Sequence, residues 1–157
     1  MQPPVKIPIH KPTPDGQFGA VRKHDTHTGV DLYAEAGTKV YAIEAGTIVA
    51  NVSFTGIAAE SPWWLDTGAV MIEGDSGVIL YGEIESDLKS GDYVFEGDLI
   101  GVVLRVLKKD KGKPLAMLHL ELYTPGTKEP AWWRLGESKP ETLVDPTPLV
   151  ESFYVQE

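Results

Sequence analysis

Apolar residues in this chain come in short runs closed off by glycine, aspartate and serine, and no segment keeps a helical spacing for three turns. Two near-copies, EAGTKVYAI from Glu35 and EAGTIVANV from Glu44, each read as a turn followed by a β-branched run, hence as consecutive strands. GAVMIEG (68–74), GVILYGEI (77–84), GDYVFEGDLIGVVLRVL (91–107) and AMLHLELYT (116–124) continue the theme. All are rich in Val, Ile, Leu and Tyr, and Gly-Asp, Asp-Ser-Gly or Ser-Gly-Asp turns separate them. The pattern predicts an all-β domain with few or no helices: a mostly antiparallel sheet folded over as a sandwich or open barrel, with a groove.

Two segments break the strand rhythm. Residues 53–67, SFTGIAAESPWWLDT, predict a loop over one end of the sheet, and the proline-punctuated tail from Thr124 predicts a strap that wraps the sheet rather than joining it. Each carries a tryptophan pair, Trp63-Trp64 and Trp132-Trp133, read here as core or lid packing in preference to ligand platforms. A chain of 157 residues has room for one domain with its own core. We divide it into a proline-rich segment (1–16), a core (17–123) and the tail (124–157), which belongs to the same domain.

Composition narrows the chemistry. Without cysteine there is neither a disulfide framework nor a thiolate site, so any metal must be held by histidine and carboxylate. A formal charge of -9, from 14 basic and 23 acidic side chains, opposes nucleic acid and anionic membranes as partners. The one basic cluster, LKKDKGK (107–113), fits a solvated hairpin tip. No run approaches the roughly 18 apolar residues of a membrane span, and the start, MQPPVKIPIH, lacks the apolar stretch of a secretory signal.

The histidines are His10, His24, His27 and His119. In AMLHLELY, Met117, His119 and Glu121 share one strand face while Leu118, Leu120 and Leu122 take the other, so leucines in the core would set His119 at a cleft. His27 and Asp31 in HTGVD would sit roughly 13 Å apart on extended chain, too far to share an ion bound at about 2.1 Å; Gly29 between them supplies a bend. Two imidazoles and one carboxylate make a three-ligand set that leaves a fourth zinc position for water, the pattern of catalytic sites. A packed strand histidine and a merely polar turn fit the same residues, and spacing alone leaves both readings open. His24 reads as an exposed loop histidine and His10 as solvated.

Taken in order, FGAVR (18–22), HTGVDLYAEAGTKVYAIEAGTIV (27–49), VILYGEI (78–84), VFEGDLIGVV (94–103) and MLHLEL (117–122) resemble the lysostaphin-type (LytM-like) zinc metalloendopeptidases. The resemblance spans roughly residues 17–123 and continues weakly at DPTPLV. It implies a grooved antiparallel β domain, Zn2+ as cofactor, and a peptidoglycan peptide, or another peptide or protein, as ligand. A wall hydrolase of this kind would act outside the cytoplasm. The resemblance puts His27, Asp31 and His119 on the zinc-ligand positions, with Glu121 and Tyr81 supporting them from behind.

It also exposes two departures. The family's two auxiliary histidines, which handle the proton and stabilise the tetrahedral intermediate, are replaced by Glu83 and Met117. A thioether neither carries a proton nor donates to an oxyanion. A carboxylate at 83 has three readings: general base, fourth metal ligand, or surface residue of a decayed enzyme. Two functions follow, a peptidase with Glu83 as base, and a zinc-retaining pseudoenzyme that holds a peptide, glycan or protein in the old groove.

Overall fold

The computed structural model describes residues 1–156. Nine strands form one antiparallel sheet: β1 (Val30–Tyr33), β2 (Lys39–Tyr41), β3 (Gly46–Thr55), β4 (Thr67–Gly74), β5 (Gly77–Glu85), β6 (Tyr93–Val94), β7 (Leu99–Val103), β8 (Met117–Tyr123) and β9 (Leu143–Val144). The main path runs β1-β8-β5-β4-β3-β6, while β7 pairs with β2 and β5 and β9 adds to β8. The one α-helix among the described residues, α1 (Thr147–Val150), is a single turn.

β8 organises the molecule, because it lies between β1 and β5 and its alternation decides what each face carries. Leu118, Leu120 and Leu122 point into the larger core with Val30, Leu32, Ile79 and Tyr81. Each buried leucine contributes roughly 1.5–3 kcal/mol relative to exposure. On the opposite face a smaller core gathers Met71, Val78, Leu80, Tyr123 and Leu143 under Phe54 and Trp133. His119 and Glu121, on that second face, are both buried. The leucines therefore do turn His119 away from the main core.

A β-bulge interrupts this alternation at β5. Gly68 faces Ile84 and Ala69 faces Gly82, so Glu83 is the extra residue, and its φ of 65° lies in the left-handed region. Tyr81 and Ile84 both stay in the larger core, and Glu83 is released to the face that carries His119. Simple alternation would have put Glu83 with Tyr81.

The two near-copies are consecutive strands, as their pattern predicts, with β2 pairing with β7 and β3 with β4 and β6. Two other expectations need correction. The run 91–107 divides into β6 and β7 at a turn where Asp98 Oδ2 accepts the Phe95 N–H at 2.8 Å. The tail does join the sheet, through β9, where Leu143 and Val144 face Tyr123 and Leu122. Its strand is short because prolines at 140, 146 and 148 leave few free N–H donors in succession.

Gly29 sits at a bend, as the sequence predicts, and a second constraint acts on it: its φ is not positive, but a Cβ there would come within 2.1 Å of the Leu120 carbonyl oxygen. The segment carrying His27 is thus pressed backbone to backbone against β8. Gly29→Ala should lose about 3 kcal/mol, the upper end of ordinary substitutions. Gly112→Ala, which is strained at φ +73 but has open space, should lose about 1 kcal/mol. Urea unfolding midpoints compare the two.

Candidate metal centre

The β1/β8 register sets Asp31 directly opposite His119. His27, on the approach to β1, folds over the pair. Its Nε2 lies 3.2 Å from His119 Nδ1 and 3.3 Å from Asp31 Oδ1, and His119 Nδ1 lies 2.9 Å from the same carboxylate oxygen. All three side chains are buried. Three ligand atoms bound tetrahedrally at 2.0–2.1 Å would be separated by about 3.4 Å, close to what is seen. These three residues could hold a metal ion.

The remaining ring nitrogens support this. His27 Nδ1 is 3.0 Å from the Gln17 carbonyl, which only accepts, so that nitrogen donates and Nε2 keeps its lone pair. His119 Nε2 donates to Glu121 Oε2 at 2.7 Å, which leaves Nδ1 facing the centre. Three electron pairs this close require a cation between them. Without metal, a proton serves: burial pulls the His119 pKa down, but the hydrogen bonds that the ring donates to Asp31 and Glu121 outweigh it and hold the ring protonated up to about 10. Burial likewise pushes Asp31 up, yet its hydrogen bonds with His119 and His27 prevail and keep it well below the ordinary carboxylate range. A divalent ion would take the place of that proton.

Glu121 is the hub behind the centre. Besides His119, its Oε2 accepts from Thr28 Oγ1 at 2.5 Å, and its Oε1 accepts from the Tyr123 hydroxyl. Tyr123 in turn accepts the Ala131 N–H at 2.8 Å, which ties the tail to the network. Thr28 and Tyr123 were not picked out from the sequence, although Tyr123 follows Glu121 at the same period of two. Arg22, in the FGAVR stretch, also went unassigned; its Nη2 reaches the outer oxygen of Asp31 at 3.5 Å.

Other expected residues fall elsewhere. Tyr81 does not support the centre: it is fully buried in the larger core, where its hydroxyl accepts the Ile43 N–H at 3.0 Å. Met117 is half-buried opposite Tyr33 and does not line the cleft over the centre. His10 and His24 are exposed. Glu83 does reach the cleft, and its Oε2 is buried with no hydrogen-bond partner among the described residues. Burial, reinforced by the charge of Asp31, pushes its pKa up to about 8.

The cleft encloses about 460 Å3, within the ~300–1,000 Å3 range of ligand sites. Its floor is His27, His119, Glu83 and Glu121, and its walls are residues 52–64 and 130–134. Trp133 packs on the smaller core, but Trp63 is 63% and Trp132 72% exposed at the cleft. Only Trp64 and Trp133 are half-buried.

Comparison with known proteins fits this geometry. The model of peptidase family M23 matches residues 25–130. No curated protein matches the chain in sequence. Among solved structures, the catalytic domain of the prophage-encoded M23 protein EnpA from Enterococcus faecalis superposes with a TM-score of 0.59 at 21% identity, over 92% of this chain and 93% of that one. LytU gives 0.53 at 16% identity, over 97% and 87%. Lysostaphin gives 0.52 at 22% identity, over 84% of this chain but 46% of its own length. At these identities the structures establish the shared fold.

Glu121→Gln removes the charge that fixes the His119 tautomer while keeping the shape of the side chain. Affinity for a divalent ion should fall by about ten- to a hundredfold, read by competition with a chromogenic chelator.

Proposed function

Because the chain belongs to peptidase family M23, we propose that it is a zinc-dependent endopeptidase domain that cleaves peptide bonds in peptidoglycan cross-links, with His27, Asp31 and His119 holding the ion and Glu83 as general base. The observation that carries this reading is the convergence of three donor atoms within 2.9–3.3 Å of one another. Each histidine's second nitrogen is already engaged. Zinc at such a site supplies Lewis acidity, polarising a carbonyl and acidifying a water.

The chain's own residues do the rest. Glu83 Oε2, unpartnered in the cleft floor, is free to take a proton from the attacking water and return it to the departing amine. Burial holds the Glu83 pKa above the ordinary carboxylate range, and a divalent ion held by Asp31 and the histidines would pull it back toward neutrality, where a carboxylate can both accept and release a proton. The bulge that aims Glu83 holds it at a left-handed φ, a backbone position retained at some cost. Arg22 adds a permanent cationic side chain in contact with Asp31 beside the centre, and the Gln17 carbonyl and Glu121 keep the two ligand rings oriented.

Met117 favours a second reading. Where the family has a histidine this chain has a thioether, which stabilises no oxyanion, and a lost donor of that kind typically lowers rates by about a hundred- to a thousandfold. On that reading the domain keeps zinc but binds its peptide, glycan or protein without cutting it.

Turnover of purified peptidoglycan and of glycine-rich cross-link peptides separates the two. Wild type should release peptide, and Glu83→Gln should lower kcat by about 10²–10⁴ with metal content unchanged. Equal rates would remove Glu83 from the mechanism, and no release by wild type would leave the binding module. In either case removing zinc with a chelator should lower Tm, since the ion ties His27 to β8.

A further inference from the structure

Both tryptophan pairs divide in the same way. Trp64 sits edge-on beneath Trp63, with ring centres 5.8 Å apart, and Trp133 packs on Phe18 at 5.6 Å while its indole N–H donates to the Glu137 carbonyl. Trp63 and Trp132 are left open at the cleft, on two segments that are far apart in sequence. An exposed indole is a poor use of apolar area unless something covers it.

The segments are fixed rather than loose. Residues 56–66 are stapled by the Leu65 N–H to Val106 O at 2.8 Å, by Thr55 Oγ1 to Leu65 O at 2.7 Å and by Lys108 Nζ to Pro62 O at 2.6 Å. Around Trp132, the Ala131 N–H reaches Tyr123 and the Trp133 carbonyl accepts the Thr26 N–H at 2.8 Å. Both indoles are therefore presented at little further entropic cost. Hydroxyl, acidic and basic groups line the same cleft, including Ser53, Asp25 and Arg134. A closed apolar pocket would suit an aliphatic side chain. Flat aromatic faces with a mixed polar border suit a pyranose ring, whose axial C–H groups meet the negative π face while its hydroxyls find donors and acceptors at the edge.

We infer that Trp63 and Trp132 are stacking platforms for sugar rings, so that the cleft takes its peptide while it is attached to the glycan strand. This rests on the reading of the cleft as directed at peptidoglycan: a glycan-linked peptide brings sugar to the rim when its backbone lies over His119 and Glu83. The platforms fix which substrates are retained and leave the chemistry on the floor unchanged.

The test is titration of the full chain with β-1,4-linked N-acetylglucosamine tetramer, followed by calorimetry and tryptophan fluorescence, with a sugar-free cross-link peptide in parallel. Neither readout requires hydrolysis or metal, so a failed peptidase reading leaves the result interpretable. The tetramer should bind wild type. Trp63→Ala and Trp132→Ala should each weaken it by about tenfold, with the phenylalanine variants retaining part of the affinity. Circular dichroism and Tm should be unchanged, since both rings are exposed. If turnover is present, the alanine variants should raise KM on glycan-linked peptide and leave cleavage of free peptide as it was. Absence of tetramer binding to wild type overturns the inference. So does tetramer binding that both alanine variants keep, or a response to the free peptide that is the one lost on substitution.

Discussion

The placement of Asp31 across from His119 in the β1/β8 ladder is the constraint on which the cleft depends. A slip of β1 by one residue along β8 would flip β1 alone, sending Val30 and Leu32 to the cleft and Asp31 into the main core while β5 kept His119 in place. Burial of the leucines of β8 makes such a slip prohibitive, and the contact of Gly29 with the Leu120 backbone fixes how closely the preceding segment approaches. Packing of the apolar face thus determines the geometry of the polar one. The centre needs no dedicated scaffold of its own.

Much of this was readable from residue order. Short β-branched runs and Gly-Asp turns announced an antiparallel sheet, and the period of two in MLHLELY separated His119 from the leucines. What the sequence hid were the features that alternation does not encode. A bulge costs a single residue, and residue order does not mark Glu83 as the extra one; nor does the family resemblance, which sets Tyr81 behind the centre, reveal that its side chain lies in the larger core. The bend at Gly29 was legible, but the crowded backbone contact with Leu120 that also demands the absence of a side chain there was not. Trp63 and Trp132 looked like core because aromatic residues usually are, and only the three-dimensional path of their segments leaves them uncovered.

Electrostatics and packing meet at Glu121. Its two oxygens engage His119, Thr28 and Tyr123, so a carboxylate that is almost wholly buried has its acceptors filled. Glu83 is the opposite case, a carboxylate with an oxygen that nothing satisfies. The contrast separates a carboxylate whose partners tie together β8, the segment before β1 and the tail from one that, among the described residues, has no partner for its buried oxygen.

The anchoring of the tail has a consequence for how such domains diversify. Ala131 and Trp133 are tied down on either side of Trp132, and the tail is secured again where β9 meets β8. The stretches between these tethers, 124–130 and 135–142, can lengthen or shorten without disturbing the histidines, because they share no ladder with them. One wall of the groove is thereby joined to its floor at few points, so insertions and deletions in these stretches can reshape the rim while the histidine-bearing ladder keeps its register.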